Sequence, residues 1–211
     1  MKPVTDCYFY GILDLGYVAA REAVNMARAL LAGGEGVDIL QLRAKGWPAE
    51  DVLALARLVR PLCAEVGAPF ILNDHPALVS PAGADGAHVG QDDGLLIEAR
   101  ALAGVGTLLG RSTHSVTQAL AAREEGADYL GFGPLFATPT KPDYPAIGLA
   151  DLAEVHAKVS DRPVFCIGGV KPENLDVVLA AGARRVVIVS GLLLATDPAR
   201  TARAVRVRLA A

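Results

Sequence analysis

The amino-acid sequence predicts an α/β fold, a (β/α)8 TIM barrel built as one domain over residues 1–211. Three observations predict it. A short motif recurs just before apolar runs: Gly36-Val37-Asp38, Gly83-Ala84-Asp85, Gly126-Ala127-Asp128 and Gly182-Ala183-Arg184. A left-handed glycine there ends a helix and a buried strand follows, which is the order of a parallel α/β protein. Eight short runs read as strands, most of them apolar throughout, as strands covered on both faces are. Eight strand–helix units also fit the 211 residues, a length that suits a small barrel. An open doubly wound sheet is the alternative, and it normally carries a Gly-rich fingerprint after its first strand. Here the first strand runs into Asp14-Leu15-Gly16-Tyr17 instead.

In chain order the strands are expected at Tyr8–Leu13, Asp38–Leu42, Phe70–Leu72, Gly86–Val89, Thr107–Leu109, Tyr129–Phe132, Val164–Ile167 and Val186–Val189. The clearest helix lies between the second and third. Val52, Leu55, Ala56, Val59, Leu62, Cys63 and Val66 fall on one stripe at 3.6 spacing. Pro61 is expected to kink that helix or end it early. Ser115 with Gln118 three residues on has the form of a capping box. Pro172 and Pro198 stand where first-turn prolines belong, the latter behind a capping Asp197.

Composition excludes several classes of protein. With 52% hydrophobic residues the chain is not disordered. No apolar run approaches the ~18 residues of a membrane span; the longest, Val186 to Ala195, is broken by Ser190 and Gly191. A net charge of −3 argues against a nucleic-acid partner but leaves room for local small-anion sites. The opening residues, Met1-Lys2-Pro3-Val4-Thr5-Asp6, lack a signal-peptide core, so a cytoplasmic protein is expected. Cys7, Cys63 and Cys166 are odd in number, form no CxxC and are expected to be buried free thiols. His75 and His156 read as solvated, and His88 is equally a core histidine or a site group.

Polar residues collect just after the expected strands. They are Asp14; Arg43 and Lys45; Asn73 and Asp74; Gln91 and Asp93; Ser112 and His114; Thr138, Thr140 and Lys141; Gly168 and Gly169; and Ser190. In a barrel all of these lie on one rim, the rim that builds active sites. Ile167-Gly168-Gly169-Val170 and Val189-Ser190-Gly191-Leu192 expose backbone N–H groups where barrels commonly seat a phosphate monoester. Arg43, Lys45 and Lys141 beside Asp74 and Asp93 suggest a polyphosphate with Mg²⁺, an ion often held by one or two carboxylates plus phosphate oxygens. Asp74 and Asp93 could instead pair with Arg43 and Lys45 as rim salt bridges. No His, Cys and Asp cluster has zinc spacing.

These stretches carry a family resemblance along almost the whole chain. Gln41-Leu42-Arg43-Ala44-Lys45, Asn73-Asp74, Gly86-Ala87-His88-Val89-Gly90-Gln91-Asp92-Asp93 and Gly110-Arg111-Ser112-Thr113-His114 come in order. They are followed by Ala127-Asp128-Tyr129-Leu130-Gly131-Phe132-Gly133-Pro134, Thr138-Pro139-Thr140-Lys141, Ile167-Gly168-Gly169 and Val189-Ser190. Any one is weak, and the ordered set is specific. The chain resembles the thiamine phosphate synthases, also called thiamine phosphate pyrophosphorylases. That resemblance implies a Mg²⁺-dependent transfer of a pyrimidinylmethyl group. 4-Amino-2-methyl-5-hydroxymethylpyrimidine diphosphate would condense with hydroxyethylthiazole phosphate, or its carboxylated form, to thiamine phosphate and pyrophosphate. It implies that Asp74 and Asp93 bind Mg²⁺, and that Arg43, Lys45, Asn73, Ser112 and Lys141 hold the diphosphate. Gln41 would contact the pyrimidine, with Thr138, Thr140, Gly169, Val189 and Ser190 around the thiazole phosphate. Partners would be these small molecules alone, with a homo-oligomer open. A sister family, the thiazole tautomerases, shares the fold and uses a histidine matching His114 as acid/base; it typically lacks the metal carboxylates and the Thr-x-Thr-Lys stretch, both intact here. A non-catalytic phosphate binder is the remaining alternative.

Overall fold

A strand apolar on both faces is stable only between two covers, and parallel neighbours need crossover helices to supply the outer one. The computed structural model describes residues 1–138 and 145–210. Its strands are β1 (Phe9–Asp14), β2 (Ile39–Arg43), β3 (Phe70–Asn73), β4 (Gly86–Val89), β5 (Leu108–Thr113), β6 (Tyr129–Phe132), β7 (Val164–Cys166) and β8 (Val186–Ile188). They close in sequence order into a parallel barrel, with Phe9 of β1 paired to Val186 of β8. Between and after them run α1 (Ala23–Leu31), α2 (Ala49–Glu65), α3 (Val79–Ala82), α4 (Leu96–Ala103), α5 (Val116–Glu124), α6 (Leu152–Lys158), α7 (Leu175–Ala180), α8 (Ser190–Leu193) and α9 (Pro198–Leu209). No helix among the described residues is long and apolar enough to cross a membrane.

Alternation along each strand divides the core in two. On β1, Phe9 and Leu13 join the layer between strands and helices, while Tyr10 and Ile12 join Ile39, Ile71, Tyr129, Phe165 and Val187 in a second cluster. Three aromatic rings fill that second cluster. Phe165 meets Tyr10 and Tyr129 edge-on, with centroids 5.3 and 5.8 Å away, a geometry the ring quadrupoles favour.

The expected caps form. Ser115 accepts from the Gln118 N–H at 3.2 Å, although the Gln118 side chain reaches back to the His114 N–H, one residue before the cap. Asp197 accepts from the Arg200 N–H, with Pro198 opening α9. Other expectations need correction. Helix α2 continues through Pro61 to Glu65: Pro61 and Arg57, whose carbonyl loses its donor, are both exposed, so the unpaired carbonyl is not sealed from solvent and the proline is tolerated. Gly83, Gly126 and Gly182 do take positive φ, but Gly36 does not. A Cβ there would collide with the Leu30 carbonyl, so close approach is what requires glycine at that point. Strand β5 runs to Thr113 because Gly110-Arg111-Ser112-Thr113 pairs in register with Tyr129–Phe132; polar side chains there mark a site carried on a strand, not a strand end. Neither His75 nor His156 is fully solvated: both are half-buried, and His156 Nε2 stands 3.9 Å from the Cys166 Sγ.

Candidate active site

The carboxyl ends of the strands surround a cavity with about 940 Å³ of empty space, part of it open to solvent. Strand register decides which side chains reach it. Gln41 is buried on β2, and two residues on Arg43 ends the same strand. Arg43 donates to Asp14 Oδ2 at 2.7 Å, and the Asp14 carboxylate, 1% exposed, also accepts the Gly16 N–H at 2.9 Å. A guanidinium held this way is aimed before any ligand arrives. Asn73, at the end of β3, and Ser112, on β5, line the same cavity, as do His114 and Thr138. Gly169, after β7, and Val189 and Ser190, after β8, line it from another arc of the barrel.

The cavity wall as described does not include Lys45, Asp74 or Asp93, which are exposed at its rim. Asp74 follows β3 with φ of 58°, a left-handed conformation that costs a non-glycine residue about 1 kcal/mol. Its N–H donates to the His88 carbonyl, tying it to β4. Asp93 stands on the neighbouring loop, where its Oδ2 accepts the Gly90 N–H at 2.6 Å. The expected alternative of rim salt bridges does not occur: among the described residues no ion pair joins Arg43 or Lys45 to Asp74 or Asp93, and Arg43 pairs with Asp14. Thr140 and Lys141 lie outside the described residues. No group of three or more His, Cys, Asp or Glu residues able to hold a metal occurs among the described residues.

Arg111, Tyr10 and Tyr129 escaped sequence reasoning, and the roles of Gln91 and His88 become specific only in the structure. Arg111, 6% exposed, donates to the carbonyls of Gly94 and Gln91, bracketing the loop that carries Asp93. Gln91 Nε2 clamps the same loop to the Ser112 carbonyl at 2.6 Å. Tyr10 and Tyr129 read as core, yet both line the cavity and bond to each other, to Gln41 and to His88. The available signal was two phenols in apolar strands, each needing a partner when buried. His88 is therefore a site group, with Nε2 2.9 Å from the Ser112 Oγ. His114 Nδ1 bonds to the Gly133 carbonyl. The three cysteines are buried and free, and burial is the main cause that pushes each thiol up to about 12. Such burial disfavours the thiolate form that a nucleophilic cysteine needs.

A parallel barrel with an anchored arginine, rim carboxylates and a glycine-lined wall over one cavity is a barrel enzyme of phosphorylated small molecules. Residues 9–192 match the family described as thiamine monophosphate synthase. The chain belongs to that family. A thiamine-phosphate synthase of Thermus thermophilus is 51% identical over 179 residues, covering 85% of each chain. One from Laribacter hongkongensis is 42% identical over 205 residues, covering 96% of this chain and 95% of its own. The solved thiamine phosphate pyrophosphorylase from Pyrococcus furiosus superposes with a TM-score of 0.87 at 29% identity, covering 97% of this chain and 96% of its own.

Proposed function

We propose that this chain, read as one cytoplasmic barrel domain over residues 1–211, joins 4-amino-2-methyl-5-hydroxymethylpyrimidine diphosphate to hydroxyethylthiazole phosphate at the carboxyl-end cavity. The products are thiamine phosphate and pyrophosphate. Thiamine phosphate synthesis is the activity that the family and the relatives support, and neither tautomerisation nor passive phosphate binding has support over it. The observation that carries the two-substrate reading is the division of the cavity. Gln41, Arg43, Asn73 and Ser112 come from β2, β3 and β5, whereas Gly169, Val189 and Ser190 follow β7 and β8.

The first set holds the pyrimidine diphosphate. Arg43, fixed by Asp14, meets the anion without reorganising, which is where electrostatic stabilisation of a leaving group is strongest. Ser112 and Asn73 add hydrogen-bond donors, and Gln41 addresses the ring. Lys45 and Lys141 complete the cationic set on the strength of the family resemblance. The second set seats the thiazole phosphate where glycine lets backbone N–H groups come close. Holding both substrates in one cavity removes most of the entropic barrier of a bimolecular step.

Asp74 and Asp93 offer hard oxygen donors on adjacent exposed loops, a donor set that fits Mg²⁺, which keeps several waters and shares substrate phosphates. Mg²⁺ bound there supplies Lewis-acid stabilisation of charge on the diphosphate. The C–O bond to the diphosphate breaks, the aminopyrimidine ring delocalises the positive charge left on its methylene, and the thiazole nitrogen attacks that carbon. No protein nucleophile is required. Purified protein given both substrates and Mg²⁺ is expected to release pyrophosphate stoichiometrically with thiamine phosphate. Absence of release under those conditions overturns the reading.

A further inference from the structure

Five polar side chains from five strands form one continuous hydrogen-bonded chain across the barrel. Gln41 Nε2 donates to the Tyr10 hydroxyl at 2.7 Å. The Tyr10 and Tyr129 hydroxyls are 3.1 Å apart, Tyr129 is 3.3 Å from His88 Nδ1, and His88 Nε2 is 2.9 Å from Ser112 Oγ. Gln41, Tyr10 and Tyr129 are each at most 2% exposed, so water does not repair a broken link. Glycine at 110 makes the contact between His88 and Tyr129 fit, because a Cβ there would collide with both.

We propose that Tyr10, Tyr129 and His88 are positioning residues that lock the hydrogen-bonding sense of Gln41 to that of Ser112, and thereby select a ring that presents an amino N–H. The inference rests on the reading that Ser112 faces the diphosphate and Gln41 the pyrimidine.

Each phenol and serine hydroxyl carries one proton, and a neutral imidazole carries one on either nitrogen. Only two arrangements satisfy every link and also use both buried phenol protons within the chain; any other leaves a Tyr10 or Tyr129 proton buried without an acceptor. In the first, Gln41 N–H donates to Tyr10, Tyr10 to Tyr129, Tyr129 to His88 Nδ1, and His88 Nε2–H to Ser112. The Ser112 proton is then left to point into the cavity. In the second, every bond reverses: Ser112 donates to His88 Nε2, His88 Nδ1–H to Tyr129, Tyr129 to Tyr10, and Tyr10 to the Gln41 oxygen. Ser112 then presents only lone pairs to the cavity, which an anion rejects. A bound diphosphate therefore selects the first arrangement. That choice leaves Gln41 Oε1 unoccupied by Tyr10 and able to accept an N–H of a 4-amino substituent, whereas the reversed chain engages that oxygen and offers only N–H groups, which suit a 4-oxo ring.

The test uses ¹⁵N-histidine-labelled whole protein with Mg²⁺ and inorganic pyrophosphate, the His88 signals being assigned through His88→Asn. The wild type is expected to show His88 with its proton on Nε2. Gln41→Glu, whose carboxylate only accepts, is expected to move the proton to Nδ1 and weaken pyrophosphate binding about tenfold; Tyr129→Phe, nearly isosteric, is expected to mix the two tautomers. Kinetically, Tyr10→Phe should raise the KM for the 4-amino pyrimidine diphosphate about tenfold while leaving that for the thiazole phosphate within about twofold. Its preference for the 4-amino over the 4-oxo ring should also fall about tenfold. An Nδ1–H His88 in the pyrophosphate-bound wild type, or equal changes in both KM values, overturns the proposal. The spectroscopic arm needs no turnover, so wild-type protein that fails to release pyrophosphate condemns the functional reading without touching the tautomer result.

Discussion

The two ends of the barrel use the same residue types to opposite purposes. At the amino end, the aspartates of the repeated Gly-x-Asp motif are saturated. Asp38 accepts the N–H groups of Tyr8 and Phe9 and pairs with Lys2 and Arg206. Asp85 accepts the Phe70 N–H and pairs with Arg60; Asp128 accepts the Leu109 N–H and pairs with Arg100. Each clips the start of the strand before its own. At the carboxyl end, Asp74 is held in a left-handed turn, and Asp93 and Lys45 are exposed. The amino-end aspartates are engaged by the chain's own N–H groups and cations, whereas the proposed ligands Asp74 and Asp93 stand exposed at the rim that builds active sites in this architecture.

The sharpest way to break this contrast is at Asp38. Its removal leaves the buried Phe9 N–H, the part-buried Tyr8 N–H and two partly exposed cations without that acceptor, so Asp38→Ala is expected to cost about 2–3 kcal/mol, or about 5–10 °C in Tm for a chain of this size. Turnover per folded molecule should stay within about twofold. Burial raises the Asp38 pKa, but Lys2, the two backbone N–H groups and Arg206 outweigh it, and the net shift is downward. Its contribution is thus fully present above the unfolded value near 3.9 and is lost as pH falls through the lower folded value. A melting series should show that acid loss in the wild type and not in Asp38→Ala. The mirror-image change is Asp93→Ala: turnover is expected to fall about 100-fold or more, with Tm shifted by no more than about 2 °C. A stable, nearly normal enzyme would rule Asp93 out of the proposed metal site.

Asp14 crosses the divide, since it is buried and saturated yet lies at the active end. Asp14→Asn keeps the shape and removes the charge that aims Arg43. Expected outcomes are a KM for the pyrimidine diphosphate raised about tenfold and a Tm lower by a few degrees. Loss of stability alone would place Asp14 with the amino-end aspartates.

How much of this was legible in the sequence follows from how far each signal travels. The strands were found because β-run apolarity and the Gly-x-Asp motif are local. The rim residues Arg43 and Asn73 were found because strand ends are local too, whereas Ser112 was found by its polarity although it stands within β5. Asp38, Asp85 and Asp128 were seen as a repeat, but their clipping role was not, because the partner strand starts up to 30 residues earlier. The chain from Gln41 to Ser112 was invisible for the same reason. Its members stand 119 residues apart at the widest single link, and a tyrosine in an apolar strand has no one-dimensional mark that it reaches a cavity. Pro61 misled because its cost depends on which face of the helix it occupies.

The smallest expected effect separates the two ends by pH. His156, on α6, is lowered from 6.5 to about 4, by burial first and then by Arg184 and Arg185 just before β8. It is neutral in the folded protein, and the unfolded chain takes up its proton near pH 6.5. Between pH 6.5 and about 4 the unfolded state binds more protons, so stability present at neutral pH is lost as the pH falls across that window. His156→Gln is expected to make the decline of Tm from pH 6.5 to 4 shallower while leaving pyrophosphate release at neutral pH unchanged. Identical slopes in the two proteins would mean that other groups account for the acid sensitivity, and that the helix layer beside the amino end carries no titrating element of its own.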